Sequence, residues 1–397
     1  MKPLRTLLLS TALLLTVGVG LSSATAGQPG WLVNGGGQGV LPSPAALAMP
    51  APDPTDLKLA RAHAEGMARW FERGVTAADF STGSMLFDGE WAFGSWQMAA
   101  LGYGYMAGAD EELRAVHLRR MQTSLDHMLS PPLRRFDAAK WGEDPMESLQ
   151  GGRGHMAWLG YSGLALAMHA WLEGPDSRYW EQTVAITDAI RHRIAAEPSG
   201  VPETYPAERY PVDATAGVAA LVLFGLAKGQ DDPVAVAWLR DTLPKLRDPK
   251  TGLLYQAVDA DGKPLDAPRG SGTLLAAWFL GVADAKAGDR LYESAEKALG
   301  TTILTLGTMR EYPEEDDARG DIDSGPVILG QGVSATGFAI GCALQRLDGE
   351  RGRQLFKTAE VFGGPVESDG ARNYANGGAI GDAILFAMLA SGQRARK

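Results

Sequence analysis

Apolar residues recur every three to four positions along most of this chain from Pro54 onward, in segments of about 14 to 22 residues separated by loops holding Gly, Pro and Asp. The spacing predicts twelve helices, near 54–75, 90–107, 110–129, 155–173, 176–196, 213–228, 232–247, 270–287, 289–305, 330–348, 350–362 and 378–391. Every second segment is apolar on all sides and rich in glycine, as in HMAWLGYSGLALAMHAWLEG and DATAGVAALVLFGLAKG. The segments between them, such as DEELRAVHLRRMQTSLDHM, carry charge on one face. Helices apolar all round belong inside and amphipathic ones outside. The apolar segments starting at 155, 213 and 270 lie 57 to 58 residues apart, a longer period than open helical solenoids use. Six hairpins with alternating inner and outer helices fit an all-α, (α/α)6 toroid. Its inner helices run in one direction, so their N-termini and the loops before them gather at one mouth.

Between 248 and 265, DPKTGLLYQAVDADGKPL reads as two short strands around Asp261-Gly262, a hairpin on that rim. The N-terminus departs from the helical pattern. Lys2 and Arg5 precede LLLSTALLLTVGVGL and then Ala24-Thr25-Ala26, the order of a secretory signal. Residues 1–26 are therefore expected to be a signal peptide, 27–52 a Gly/Pro-rich leader and 53–397 one barrel domain, exported to the periplasm or medium. No later stretch reads as a bilayer span.

Composition narrows the chemistry. The 397 residues are 45% hydrophobic and 21% charged, which excludes a disordered or collagen-like chain. Against 47 Asp and Glu there are 37 Lys and Arg, a net charge of −10, which leaves no electrostatic footprint for nucleic acid or an anionic membrane. The single Cys342 excludes an internal disulfide and a cysteine zinc site, and with 6 His and no HExxH no resident metal or cofactor is expected. No nucleophile elbow, phosphate loop or dinucleotide fingerprint occurs.

Residues at the starts of the inner segments supply the candidate chemistry. They are Asp88, Glu90, Trp91 and Trp96; Trp141, Asp144, Glu147, Arg153 and His155; Glu203, Tyr205, Glu208, Tyr210 and Asp213; Arg269; Arg310, Glu311, Tyr312, Asp321, Asp323 and Ser324; and Arg372, Asn373 and Tyr374. Carboxylates, one His and aromatics over a concave floor suit proton transfer on a neutral small molecule, because Trp and Tyr neighbours can bring a carboxyl or His155 to a useful pKa. His155 and Asp213 are read as the acid/base pair, with Asp321 and Asp323 orienting the pair or the substrate. Asp88, Trp91, Trp96, Glu147, Glu208, Tyr210, Arg269 and Tyr374 are read as substrate-contacting. Asp213 also fits a helix N-cap and Trp96 a core position.

At the second and third mouth loops the sequence resembles the linalool dehydratase-isomerase family. The resemblance is carried by Trp141-Gly142, Asp144-Pro145, Glu147, Gly154-His155, Arg178-Tyr179, Ile194 to Pro198, and Asp248-Pro249 with Gly252 and Tyr255. It implies an (α/α)6 barrel, a catalytic histidine at His155, and acid/base loss of water or a 1,3-hydroxyl shift on an allylic terpene alcohol. The family's two cysteines fall on Thr204 and Asp213, and a family aspartate on Asp79 or Asp88. Neither Thr204 nor Asp213 is a thiol. The leading reading is lyase or isomerase chemistry on a small alcohol. At the level of fold alone the toroid is similar to six-hairpin glycosidases and sugar epimerases, where paired carboxylates such as Asp213 with Asp321, Asp323 or Glu208 would work. A barrel that binds a glycan without turning it over is the third reading. N-terminal sequencing of the exported protein is expected to begin at Gly27; a chain still starting at Met1 would identify an uncleaved anchor instead.

Overall fold

A computed structural model describes residues 51–313, 320–321 and 324–393. The signal, the leader to residue 50, Glu314 to Asp317 and Asp323 lie outside the described residues.

The inner ring consists of α2 (Met85–Ala109), α5 (Met156–Glu173), α7 (Pro211–Lys228), α9 (Gly270–Ala283), α11 (Val333–Gln345) and α13 (Gly378–Ser391). Each packs on the next, and α13 returns to α2, so the ring closes as an (α/α)6 toroid. The outer helices are α1 (Leu57–Arg73), α3 (Arg114–Met128), α6 (Trp180–Ala196), α8 (Pro233–Ala237), α10 (Ala285–Leu299) and α12 (Gly349–Gly363). An additional helix, α4 (Pro131–Trp141), lies in the long connection that the sequence reading treated as loop. Its signals are Pro131 at the first helical position, Leu133 and Phe136 on a buried face, and a left-handed Gly142 after its end.

Three other expectations change. The segment 232–247 is not one helix: Pro244 removes an N–H donor, and after α8 the chain runs on as a π turn and a 3-10 turn. The segment 289–305 stops at Leu299, because Gly300 and the β-branched run Thr301 to Ile303 enter strand β1 (Gly300–Ile303), paired with β2 (Leu306–Met309). The expected 248–265 hairpin is reduced to isolated bridges such as Val258 with Pro264 and Tyr255 with Pro268, since proline cannot donate to a ladder. The remaining short strands pair as β3 (Val327–Ile328) with β4 (Gln331–Gly332), and β5 (Pro365–Ser368) with β6 (Ala371–Tyr374). By length and composition α7 could also cross a membrane, contrary to the sequence reading; 72% of its apolar window is buried inside the ring, which accounts for that composition.

Outer helices α1, α8, α10 and α12 begin with aspartates whose side chains accept their first-turn N–H groups. None of the six inner helices has a side-chain bond from its N-cap residue. The mouth therefore gathers six positive helix ends. At the opposite end Tyr105 of α2 meets Trp278 of α9 across the axis, and Gln345 of α11 donates to the Tyr105 hydroxyl.

Glycine lets the inner helices approach closely. A Cβ on Gly160 of α5 would stand 2.8 Å from the Asp213 carbonyl oxygen of α7, whereas one on Gly381 of α13 would meet nothing within 4 Å. Gly381→Ala should stabilise the protein by about 0.5–1 kcal/mol through helix propensity. Gly160→Ala should destabilise it by about 1–2 kcal/mol, because the added methyl overpacks against backbone. Urea midpoints compare the two directly, and equal signs would contradict the packing.

Candidate active site

His155 stands at the N-cap of α5 with φ of +52°, a left-handed conformation that a side chain rarely adopts, and it is fully buried. Such strain persists only where the surroundings hold it. Two contacts do so. Gly154 leaves no room for a Cβ against the Glu203 carbonyl, and Met156 N–H donates to that same oxygen at 3.2 Å. From the outer ring, the buried Arg193 of α6 donates to the carbonyl oxygens of Ser148 and Arg153 and so fixes the loop leading to His155. Burial lowers the Arg193 guanidinium to about 10.

His155 Nδ1 lies 2.5 Å from Asp137 Oδ2, and Asp137 is also fully buried. Burial holds the Asp137 carboxyl above the usual carboxylate range, with the His155 bond pulling it back down. An Asp carboxylate accepts, so in the neutral imidazole Nδ1 carries the proton and Nε2 the lone pair. Nε2 is buried and has no hydrogen-bond partner. The Trp141 ring stacks on the imidazole at 4.6 Å between centroids. The sequence reading missed Asp137 because it missed α4; the visible signal was a lone carboxylate beside Phe136 on the apolar face of that helix.

Asp213 is the third residue of α7 rather than its N-cap, which is Tyr210. Its carboxylate accepts the Thr204 hydroxyl at 2.6 Å and the Tyr161 hydroxyl at 2.7 Å. Next in chain to Thr204 is Tyr205, buried to 4% exposure, whose hydroxyl donates to Glu90 Oε2 of α2 at 2.8 Å. The Lys140 ammonium lies over its ring. Burial first, and then the charges of Glu90, Asp137 and Asp213, raise the Tyr205 phenol well above its ordinary pKa. Glu208 accepts from the Tyr210 hydroxyl at 2.9 Å and faces Lys140 at 3.9 Å. His155, Asp213, Glu208 and Tyr210 are thus gathered on neighbouring segments.

The other predicted residues fall elsewhere. Trp96 is core, stacked between Phe71 and His127 with its N–H on the Val75 carbonyl. Asp88 ties down its own loop by accepting from Thr82, and Trp91 packs edge-on against Phe80. Glu147 is exposed on a 3-10 turn. Tyr374 is buried in β6, stacked on His63 and bonded to Glu360. Nearby, Asp382 accepts from Trp70, Asn373 and the Tyr374 N–H, and burial raises it to about 6.

Arg269 and Asp321 form a second mouth group. The buried Arg269 donates to Asp321, which is 54% exposed, at 2.5 Å and faces the buried Glu311 at 3.8 Å. Asp321 is thereby engaged by an arginine. Glu311 accepts from the Ser271 hydroxyl at the start of α9, and burial raises its carboxyl to about 7. Among the described residues no group of three or more His, Cys, Asp or Glu could hold a metal ion. A cleft of about 260 Å³ lined by Arg191, Lys228 and Asp232 sits at the C-terminal end of α7, away from these groups.

No protein-family model and no curated protein matches the sequence. Solved structures do. A D-mannose isomerase superposes with a TM-score of 0.54 at 11% identity, over 86% of this chain and 99% of that one. An inactive variant of the α-1,6-mannanase GH76A of Salegentibacter sp. HEL1_6 bound to α-1,6-mannotriose gives 0.48 at 13% identity, over 85% and 98%. The first likeness, end to end, agrees with the closed toroid.

Glu311 binds its proton more tightly in the folded chain than in the unfolded one, so its contribution to stability is present below pH 4.5 and is lost as pH rises to about 7. The loss is on the order of 3 kcal/mol. Glu311→Gln should flatten the fall in urea-unfolding free energy over that window; an unchanged pH slope would show that Glu311 does not titrate there.

Proposed function

We propose that this protein is an exported carbohydrate-active enzyme that moves a proton within a small hydroxycarbonyl sugar, an isomerase or epimerase type of reaction with His155 as base. One observation carries the reading: a buried imidazole oriented by Asp137 through Nδ1, with a free Nε2 lone pair, at a strained helix start on the mouth of the barrel. That arrangement matches what a general base requires, since the second nitrogen fixes the tautomer and the carboxylate stabilises the imidazolium that forms. Hydroxyl-rich surroundings at Thr204, Tyr161, Tyr205 and Tyr210 suit a polyhydroxylated substrate. The likeness to a D-mannose isomerase supports the same substrate class.

Glycoside hydrolysis is less supported, because Asp321 is bound to Arg269 and Glu208 to Tyr210, and a hydrolase needs two carboxylates flanking one bond. Lyase or isomerase action on an allylic alcohol keeps one specific support: Thr204 and Asp213, the positions that resemble the cysteine pair, are directly bonded.

The test incubates purified protein in deuterium oxide with D-mannose, D-glucose, D-fructose, α-1,6-linked mannooligosaccharides and linalool. Deuterium should enter at the carbon beside the carbonyl of a hexose, with aldose–ketose or epimer conversion. His155→Gln should lower both by about 1,000-fold or more, and Asp137→Asn by about 100-fold or more through the wrong tautomer. Release of mannose or dehydration of linalool without hexose exchange would replace the isomerase reading by the corresponding alternative.

A further inference from the structure

We propose that Tyr205 and Glu90 form a proton relay for the substrate's hydroxyl oxygens, separate from the carbon-centred base His155. This rests on the isomerase reading and adds its missing half. Moving a carbonyl along a sugar requires a proton to leave C2 and arrive at C1, and equally a proton to leave O2 and arrive at O1. His155 can serve the carbons, but one lone pair cannot serve the oxygens at the same time.

Tyr205 is placed for the second task. Its hydroxyl proton is committed to Glu90 Oε2 at 2.8 Å, so the phenol oxygen presents lone pairs to a substrate O–H. It belongs to the same site as His155: Met156, next in chain to His155, bonds Glu203, two residues before Tyr205, and Asp137 acts on the phenol electrostatically. Burial, and then the charges of Glu90, Asp137 and Asp213, disfavour a tyrosinate, while the Lys140 ammonium lies over the ring. The phenol therefore stays neutral by passing one proton on as it takes another.

The step balances without a co-reactant. His155 Nε2 takes the C2 hydrogen as a proton, its electron pair forms C1=C2, and the C1=O1 π pair moves to O1. The O2 proton passes to the Tyr205 oxygen while the Tyr205 proton passes to Glu90. The relay then runs backward toward O1; the O2 lone pair forms C2=O2, and the C1=C2 pair takes the His155 proton at C1.

Tyr205→Phe and Glu90→Gln are tested with D-mannose and D-fructose in deuterium oxide, exchange at C2 of mannose and conversion being read separately. The relay predicts that both variants keep exchange within about 10-fold of the parent chain and lose interconversion by about 100-fold. Interconversion at the parent rate in either variant overturns it, and so does a parallel loss of exchange and conversion, which is what a structural role gives. If Tyr205→Phe does not fold, as judged by circular dichroism, Glu90→Gln alone decides. Absence of exchange and conversion in the unmutated protein overturns the isomerase reading itself, a failure distinguishable from that of the relay.

Discussion

Backbone contact between the start of α5 and the chain leading into α7 is the constraint on which the site depends. Gly154 lies against the Glu203 carbonyl and Gly160 against that of Asp213, distances that only glycine permits. The approach brings His155 beside the 203–210 loop, and with it Thr204, Tyr205 and Asp213. It also explains why a histidine tolerates a positive φ: the Met156 bond to Glu203 and the Arg193 anchors on the preceding loop hold the backbone from both sides. The excess of glycine, 50 residues in 397, is in part the cost of this closeness.

A carboxylate-rich mouth would repel itself were it not set on helix starts. The inner helices lack N-cap side-chain bonds, and their ends present positive dipoles to the groups gathered there. Asp213 sits in the first turn of α7, and Glu311 accepts from Ser271 in the first turn of α9. Four of the six outer helices are instead capped by their own aspartates.

Much of the toroid was legible in the sequence because it rests on periodicity: apolar inner helices and one-sided outer helices differ visibly, and the spacing of the inner ones repeats. His155 and Asp213 were legible because they stand where inner helices begin. What the sequence hid was tertiary. Asp137 is ordinary in sequence and becomes exceptional only because α4 turns it onto His155. Trp96, beside a helix start by number, points into a stack with Phe71 and His127, and nothing in its spacing distinguishes that from a lining position. Tyr205 and Glu90 were both legible as mouth residues, but no spacing joins groups 115 residues apart, and only the fold sets the hydroxyl on the carboxylate.

The contact of Tyr105 with Trp278 joins helices on opposite sides of the ring, and Gln345 locks it from a third. The ring is therefore spanned at that end as a wheel is by a spoke, and it cannot spread there without pulling the aromatic pair and the amide bond apart.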